Sequence, residues 1–120
     1  MDLNRYLEKM EEIVIEPMIS FMEFCDEDDC EYTLEDVQTC KDLISAYLEK
    51  LASMEESEDE AIMEQVKILV LALNELNEKT DYVLIETEAR EAIWEVVQTS
   101  AIDCGLKEYD DDITGEWREW

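Results

Sequence analysis

The side chains that usually carry catalysis or hold metals are restricted in type here. The chain has no histidine, 4 cysteines, and 35 aspartates and glutamates against 9 lysines and arginines. Without an imidazole, no Cys–His or Ser–His nucleophile can be assembled, and only a lysine or a carboxylate could replace the base. The two-metal carboxylate site of helical bundles, built from Glu-x-x-His on two helices, is excluded for the same reason. Cys25 and Cys30 lack the spacing of a zinc pair, and Cys40 falls on an apolar stripe. The acidic run DEDDCEY at 26–32 lacks the central glycine and closing glutamate of an EF-hand loop, so it reads as a solvated loop with weak divalent affinity. No Gly-rich phosphate loop is present. Carboxylate pairs abound, but nothing in the sequence marks one as buried with a raised pKa. The expectation is a protein that is not an enzyme and needs no cofactor or metal.

Charge is the dominant property. A net charge of −26 at pH 7 repels nucleic-acid phosphates and anionic membranes, and attracts basic proteins, polyamines or divalent cations with a strength that falls as salt is added. The same charge also keeps a small protein soluble. The chain opens on MDLNRYLEKM with no apolar signal region, so reduced thiols and a cytoplasmic location are expected. Its most apolar stretch, IMEQVKILVLAL, is broken by Glu64 and Lys67 and cannot span a membrane.

At 120 residues and 47% hydrophobic, the chain has the size of one domain with its own core. Only 2 glycines and 1 proline leave little turn punctuation, which favours helices. Leu3, Tyr6, Leu7, Met10, Ile13, Val14, Met18, Phe21 and Phe24 recur at helical spacing from Asp2 to about Cys25. Pro17 makes this one kinked helix or two, and the kink is either a packing bend or a binding notch. Thr33 with Glu35 and Asp36 predicts the start of a helix from about Leu34 to Met54, with Val37, Cys40, Ile44, Tyr47 and Leu51 inside. Ser57 is the expected cap of a third helix, about Glu58 to Lys79, whose stripe Ile62, Val66, Leu69, Leu73, Leu76 makes it the centre of the fold. A fourth helix starts between Tyr82 and Glu86 and runs to about Cys104, with Gly105 as its stop. The prediction is an all-α antiparallel bundle of about four main helices, the first either kinked or split at Pro17.

The polar residues near the C-terminal half are the candidate binding or tethering group. Asn74 and Asn77, if buried, must hydrogen-bond the following turn or line a site. Glu86 and Arg90, four apart in the favourable order, are expected to pair. After the acidic connector EYDDD, Thr114 is the expected cap of a last turn, with Trp117 and Trp120 docked on the bundle and Arg118 seeking a carboxylate.

The succession LALNELNEKTDYVLIETEAREAI at 71–93 and the ending DITGEWREW at 112–120 resemble a family of small acidic bacterial proteins of unknown function. The matching positions are Asn74, Asn77, Glu86, Thr87, Arg90, Glu91, Trp117, Arg118 and Trp120, over roughly the C-terminal 40% of the chain. The resemblance implies a bacterial origin and an α-helical fold, and carries no chemistry to these residues. The functional expectation is an acidic module that binds a basic protein, with an immunity or antitoxin protein as its concrete form and mimicry of the DNA phosphate array as a variant. The competing expectation is a structural or housekeeping bundle, able to self-associate, whose acidity serves solubility.

Overall fold

Pro17 shapes how the chain begins. The computed structural model describes residues 2–24, 32–54, 58–107, 109 and 112–120. Helix α1 (Leu3–Met10) passes directly into a π-helical turn (Glu11–Ile15) and then into α2 (Glu16–Phe24). Pro17 has no amide hydrogen to give the Ile13 carbonyl, and the turn ahead of it widens, so that the Glu16 amide reaches back to the Glu11 carbonyl. Pro17 itself sits in the first turn of α2, where a missing donor is tolerated.

The widened turn adds one residue and displaces the buried stripe. Tyr6, Met10, Val14 and Met18 are buried as the spacing predicts, but Ile15 joins them inside the turn and the stripe then passes to the partly buried Met22. Phe21, expected on the buried stripe, is instead turned outward and 50% exposed. The side chain of Phe24, together with Cys25, Cys30 and the acidic run up to Glu31, lies outside the described residues.

Helix α3 (Leu34–Ala52) opens with a reciprocal cap. The Asp36 amide donates to the Thr33 hydroxyl at 3.2 Å and the Thr33 amide to the Asp36 carboxylate at 3.0 Å. Helix α4 (Asp59–Lys79) has Glu58 at its cap position with no side-chain hydrogen bond there, and Ser57 is outside the described residues. Helix α5 (Thr87–Asp103) stops at Gly105, whose φ of 118° is open to glycine and costly for other residues. The predicted stripes of α3 and α4 are inside, with Cys40, Ile44, Leu51, Ile62, Val66 and Leu73 fully buried.

Among the described residues the chain is an all-α, antiparallel bundle of four main helices, and directional contacts set its packing. Lys79, at the end of α4, pairs with Asp36, in the first turn of α3, at 3.2 Å. Tyr6, near the start of α1, donates to Asp103, at the end of α5, at 3.0 Å, and Lys9 pairs with Glu95 at 3.1 Å. Lys41 of α3 holds Glu11 of the π turn at 2.8 Å, and the Tyr47 hydroxyl donates to the Val97 carbonyl of α5 at 3.0 Å. Leu106 and Ile113, beyond α5, are buried in the same core. Among the described residues no helix is long and apolar enough to cross a membrane.

The cap of α3 is testable. Burial pushes the Asp36 carboxyl up, but hydrogen bonds from the Thr33 amide, the Lys79 ammonium and the Thr33 hydroxyl outweigh it and hold the pKa below the ordinary carboxylate value. A depressed folded-state pKa contributes stability above the unfolded value, near 3.9, which is lost as pH falls through the folded value. Thr33→Ala should therefore cost about 1 kcal/mol in urea unfolding at pH 7. The difference from the parent should shrink in strong acid, and an undiminished difference there would contradict the Asp36 linkage.

Candidate functional site

Two places gather the polar residues singled out by the sequence. The first is the C-terminal tail. Asp112 starts it by accepting from the Thr114 amide at 2.9 Å and from the Thr114 hydroxyl, and the Asp112 carbonyl accepts from the Gly115 amide at 3.2 Å. The cap of this last turn is thus Asp112 and not Thr114, whose fully buried hydroxyl is a donor to Asp112. Arg118 finds its carboxylate in Asp112 and also donates to the Thr114 hydroxyl at 3.3 Å. Its guanidinium lies 5.5 Å from the centre of the Trp120 ring, within cation–π range.

Asn74 fastens this tail to α4. Its side-chain amide donates to the Trp117 carbonyl at 2.8 Å and accepts from the Glu119 amide at 3.0 Å, so one side chain pairs with the tail as a neighbouring strand would. The Ile113 amide adds a bond to Gln98 of α5 at 3.3 Å, and Trp117 and Trp120 pack, partly buried, on the core. Asn77 does a separate job one turn on. Its side-chain oxygen accepts from the Ile85 amide at 3.0 Å, and its carbonyl accepts from Thr80 and from Tyr82. These bonds hold the α4–α5 turn, in which Asp81 and Tyr82 take left-handed φ values of 59° and 66°.

The expected Glu86–Arg90 ion pair does not form. Glu86 is the residue before the first turn of α5, with extended backbone angles, so its side chain is not one helical turn below Arg90. The two residues meet only through the backbone, where the Arg90 amide donates to the Glu86 carbonyl at 2.8 Å. Arg90 and Glu91 instead share a cavity of about 270 Å³ with Trp94, Asp112 and Arg118, while Thr87 is exposed at the start of α5. In this cavity two guanidiniums face two carboxylates beside Trp94, and among the described residues the buried indole N–H groups of Trp94 and Trp120 have no hydrogen-bond partner. Burial pushes the Asp112 carboxyl up, but the Thr114 hydroxyl and amide and the Arg118 guanidinium outweigh it and hold it below the ordinary range. Asp112 is therefore ionised at neutral pH and suited to clasping the tail, not to donating a proton.

The second place was not predicted as a site beyond the notch at Pro17. Pro17, Met18 and Phe21 from α2 face Val83 and Leu84 from the α4–α5 turn across a groove of about 190 Å³, with Glu86 and Glu88 at its rim. Val14, Met18 and Leu84 supply a buried apolar floor, and Phe21 stacks on Tyr32 with ring centres 6.1 Å apart. Neither rim carboxylate makes a side-chain hydrogen bond or ion pair among the described residues. The available signal was the Pro17 kink followed by Phe21, read there as a core residue.

The remaining thiols are spent on packing. Cys40 is fully buried, which pushes its pKa up to about 12, and the Cys104 thiol donates to the Leu51 carbonyl at 3.3 Å. Among the described residues no three potential ligand side chains converge as a metal site would require.

Comparison with protein-family models, with curated proteins and with solved structures gives no match to this chain. The likeness of its C-terminal half to the small acidic bacterial family stays a resemblance.

The clasp makes an acid-sensitive prediction. Because the Asp112 pKa is depressed, its contribution is present above the ordinary carboxylate value of about 3.9 and is lost as pH falls through the lower folded value. Asp112→Asn should loosen the tail at neutral pH and flatten the acid dependence of tryptophan emission. Asn74→Ala, which strands two backbone groups of the tail, should cost about 1–3 kcal/mol in chemical unfolding. A change below about 0.5 kcal/mol would show that the tail is surface decoration.

Proposed function

We propose that this chain is a non-enzymatic acidic module that binds and neutralises a basic protein, as an immunity or antitoxin protein masks the cationic surface of its toxin. The observation that supports this is that the carboxylate surplus is not consumed by the fold. Lys9, Lys41, Lys79 and Arg118 each hold one carboxylate, whereas Arg5, Lys50, Lys67, Arg90 and Lys107 form no ion pair among the described residues. Asp36 is the one buried carboxylate among them. Most of the other described carboxylates are exposed, and those outside an ion pair can steer a cationic partner, raise its rate of encounter and repel nucleic acid and anionic membrane. The free thiol of Cys40 fits a reducing compartment such as the cytoplasm.

A second reading, self-association, rests on α4. Ile68, 53% exposed, lines a cavity of about 130 Å³ between α3 and α4, and Leu71 is 44% exposed about one turn further on. A homo-oligomer built there would hold or tighten as salt screens the repulsion between two chains of −26, which separates it from the first reading.

Affinity capture from a lysate of the source organism at low salt, eluted in salt steps, tests the proposal. The expected result is one basic protein retained stoichiometrically and released at moderate salt, and the purified pair should re-form with the same salt dependence. Recovery of the chain alone, or of abundant cationic proteins in no fixed ratio, contradicts it.

A further inference from the structure

We infer that the groove beside Pro17 is the docking site for a basic amphipathic helix of a partner protein, with one lysine or arginine seated between Glu86 and Glu88. This rests on the basic-partner reading above and assigns it a place on the fold.

The groove combines two properties. Its floor is apolar and already formed, because Val14 and Met18 are held in the core by the long first helix and Leu84 by the Asn77-braced turn. Its rim is charged and uncommitted. Glu86 occupies the cap position of α5, where a carboxylate could have been used on the exposed helix amides, yet its side chain makes no capping bond. Phe21 stands at the edge, half-exposed, because the π turn rotated it out of the core.

This arrangement selects among occupants by charge complementarity. A purely apolar segment would bury against Phe21 and Val83 but leave two adjacent carboxylates facing it, with their like-charge repulsion unrelieved. A purely polar cation would satisfy the rim and leave the apolar floor wet. A lysine or arginine satisfies both, since its alkyl stem lies along apolar wall while its charged head stays at the rim. Apolar neighbours one helical turn away on the partner would then cover Phe21, in the manner of helix-in-groove recognition. A second copy of this chain, with the same charge of −26, is a poor occupant of the same rim.

Calorimetric titration with two synthetic helical peptides tests this: one of leucine and lysine with an apolar face, the other of serine and lysine with the same charge and length. The amphipathic peptide should bind about tenfold more tightly than the polar one at moderate salt. Glu86→Gln with Glu88→Gln should remove about tenfold of that affinity, and Phe21→Ser a similar amount. Glu60→Gln with Glu64→Gln on α4, which changes the net charge equally, should have less than about a twofold effect. All four glutamates and Phe21 are exposed, so the variants should keep the helical circular dichroism of the parent. Equal losses from the two glutamate pairs, or equal affinity for the two peptides, would overturn the groove while leaving the basic-partner reading in place. Absence of binding by both peptides at low salt would overturn both.

Discussion

Mutual repulsion among 35 acidic side chains is the constraint that the rest of this structure answers. Isolated surface ion pairs are worth little, so 9 cations cannot offset it by pairing alone. The restoring force comes from the apolar core, which runs without interruption from Tyr6 and Met10 through α3, α4 and α5 to Leu106 and Ile113. The cations that do pair are placed for position. Lys79 joins the end of α4 to the start of α3, Lys41 joins α3 to the π turn, and Lys9 joins α1 to α5. Three otherwise weak contacts thus fix how the helices lie against one another.

Helices α3 and α4 were legible because their amphipathic period is unbroken, and because the Thr33 and Asp36 cap is a local signal. The first helix was legible as a helix, and its buried face was legible as far as Met18 but not at Phe21. A π turn adds one residue without altering composition, so the stripe from Tyr6 to Val14 continues through Met18 and Met22 and passes by Phe21. Glu86 was misread for a related reason: spacing of four implies a side-chain pair only if both residues are helical, and Glu86 is the extended residue at the helix start. The partner of Arg118 was foreseen as a carboxylate, without its identity. The two bonds of Asn74 to a tail more than 40 residues away were outside the reach of local pattern.

The residues matched by the bacterial resemblance divide along this line. Asn74, Trp117, Arg118 and Trp120 form the tail clasp, and Asn77 supports the α4–α5 turn. Glu86 belongs to the groove on another part of the surface. The group first taken together as one candidate site is therefore two structures. One is a tether in which Asp112 and Arg118 satisfy one another, and the other is a rim whose carboxylates form no ion pair among the described residues. The rim is the better place to look for a partner, because among the described residues its carboxylates make no side-chain hydrogen bond or ion pair.

The account depends on the carboxylate surplus being uncompensated in the folded protein, and equilibrium unfolding as a function of ionic strength tests this most directly. Urea unfolding at pH 7 should be followed from about 0.01 M to about 0.5 M sodium chloride, which shortens the screening length from about 30 Å to a few Å. The account predicts that stability rises steadily with salt as repulsion between exposed carboxylates is screened. A stability that stays flat or falls with salt would mean that attractive pairs already balance the charge, and the surface would then have no surplus to offer a basic partner.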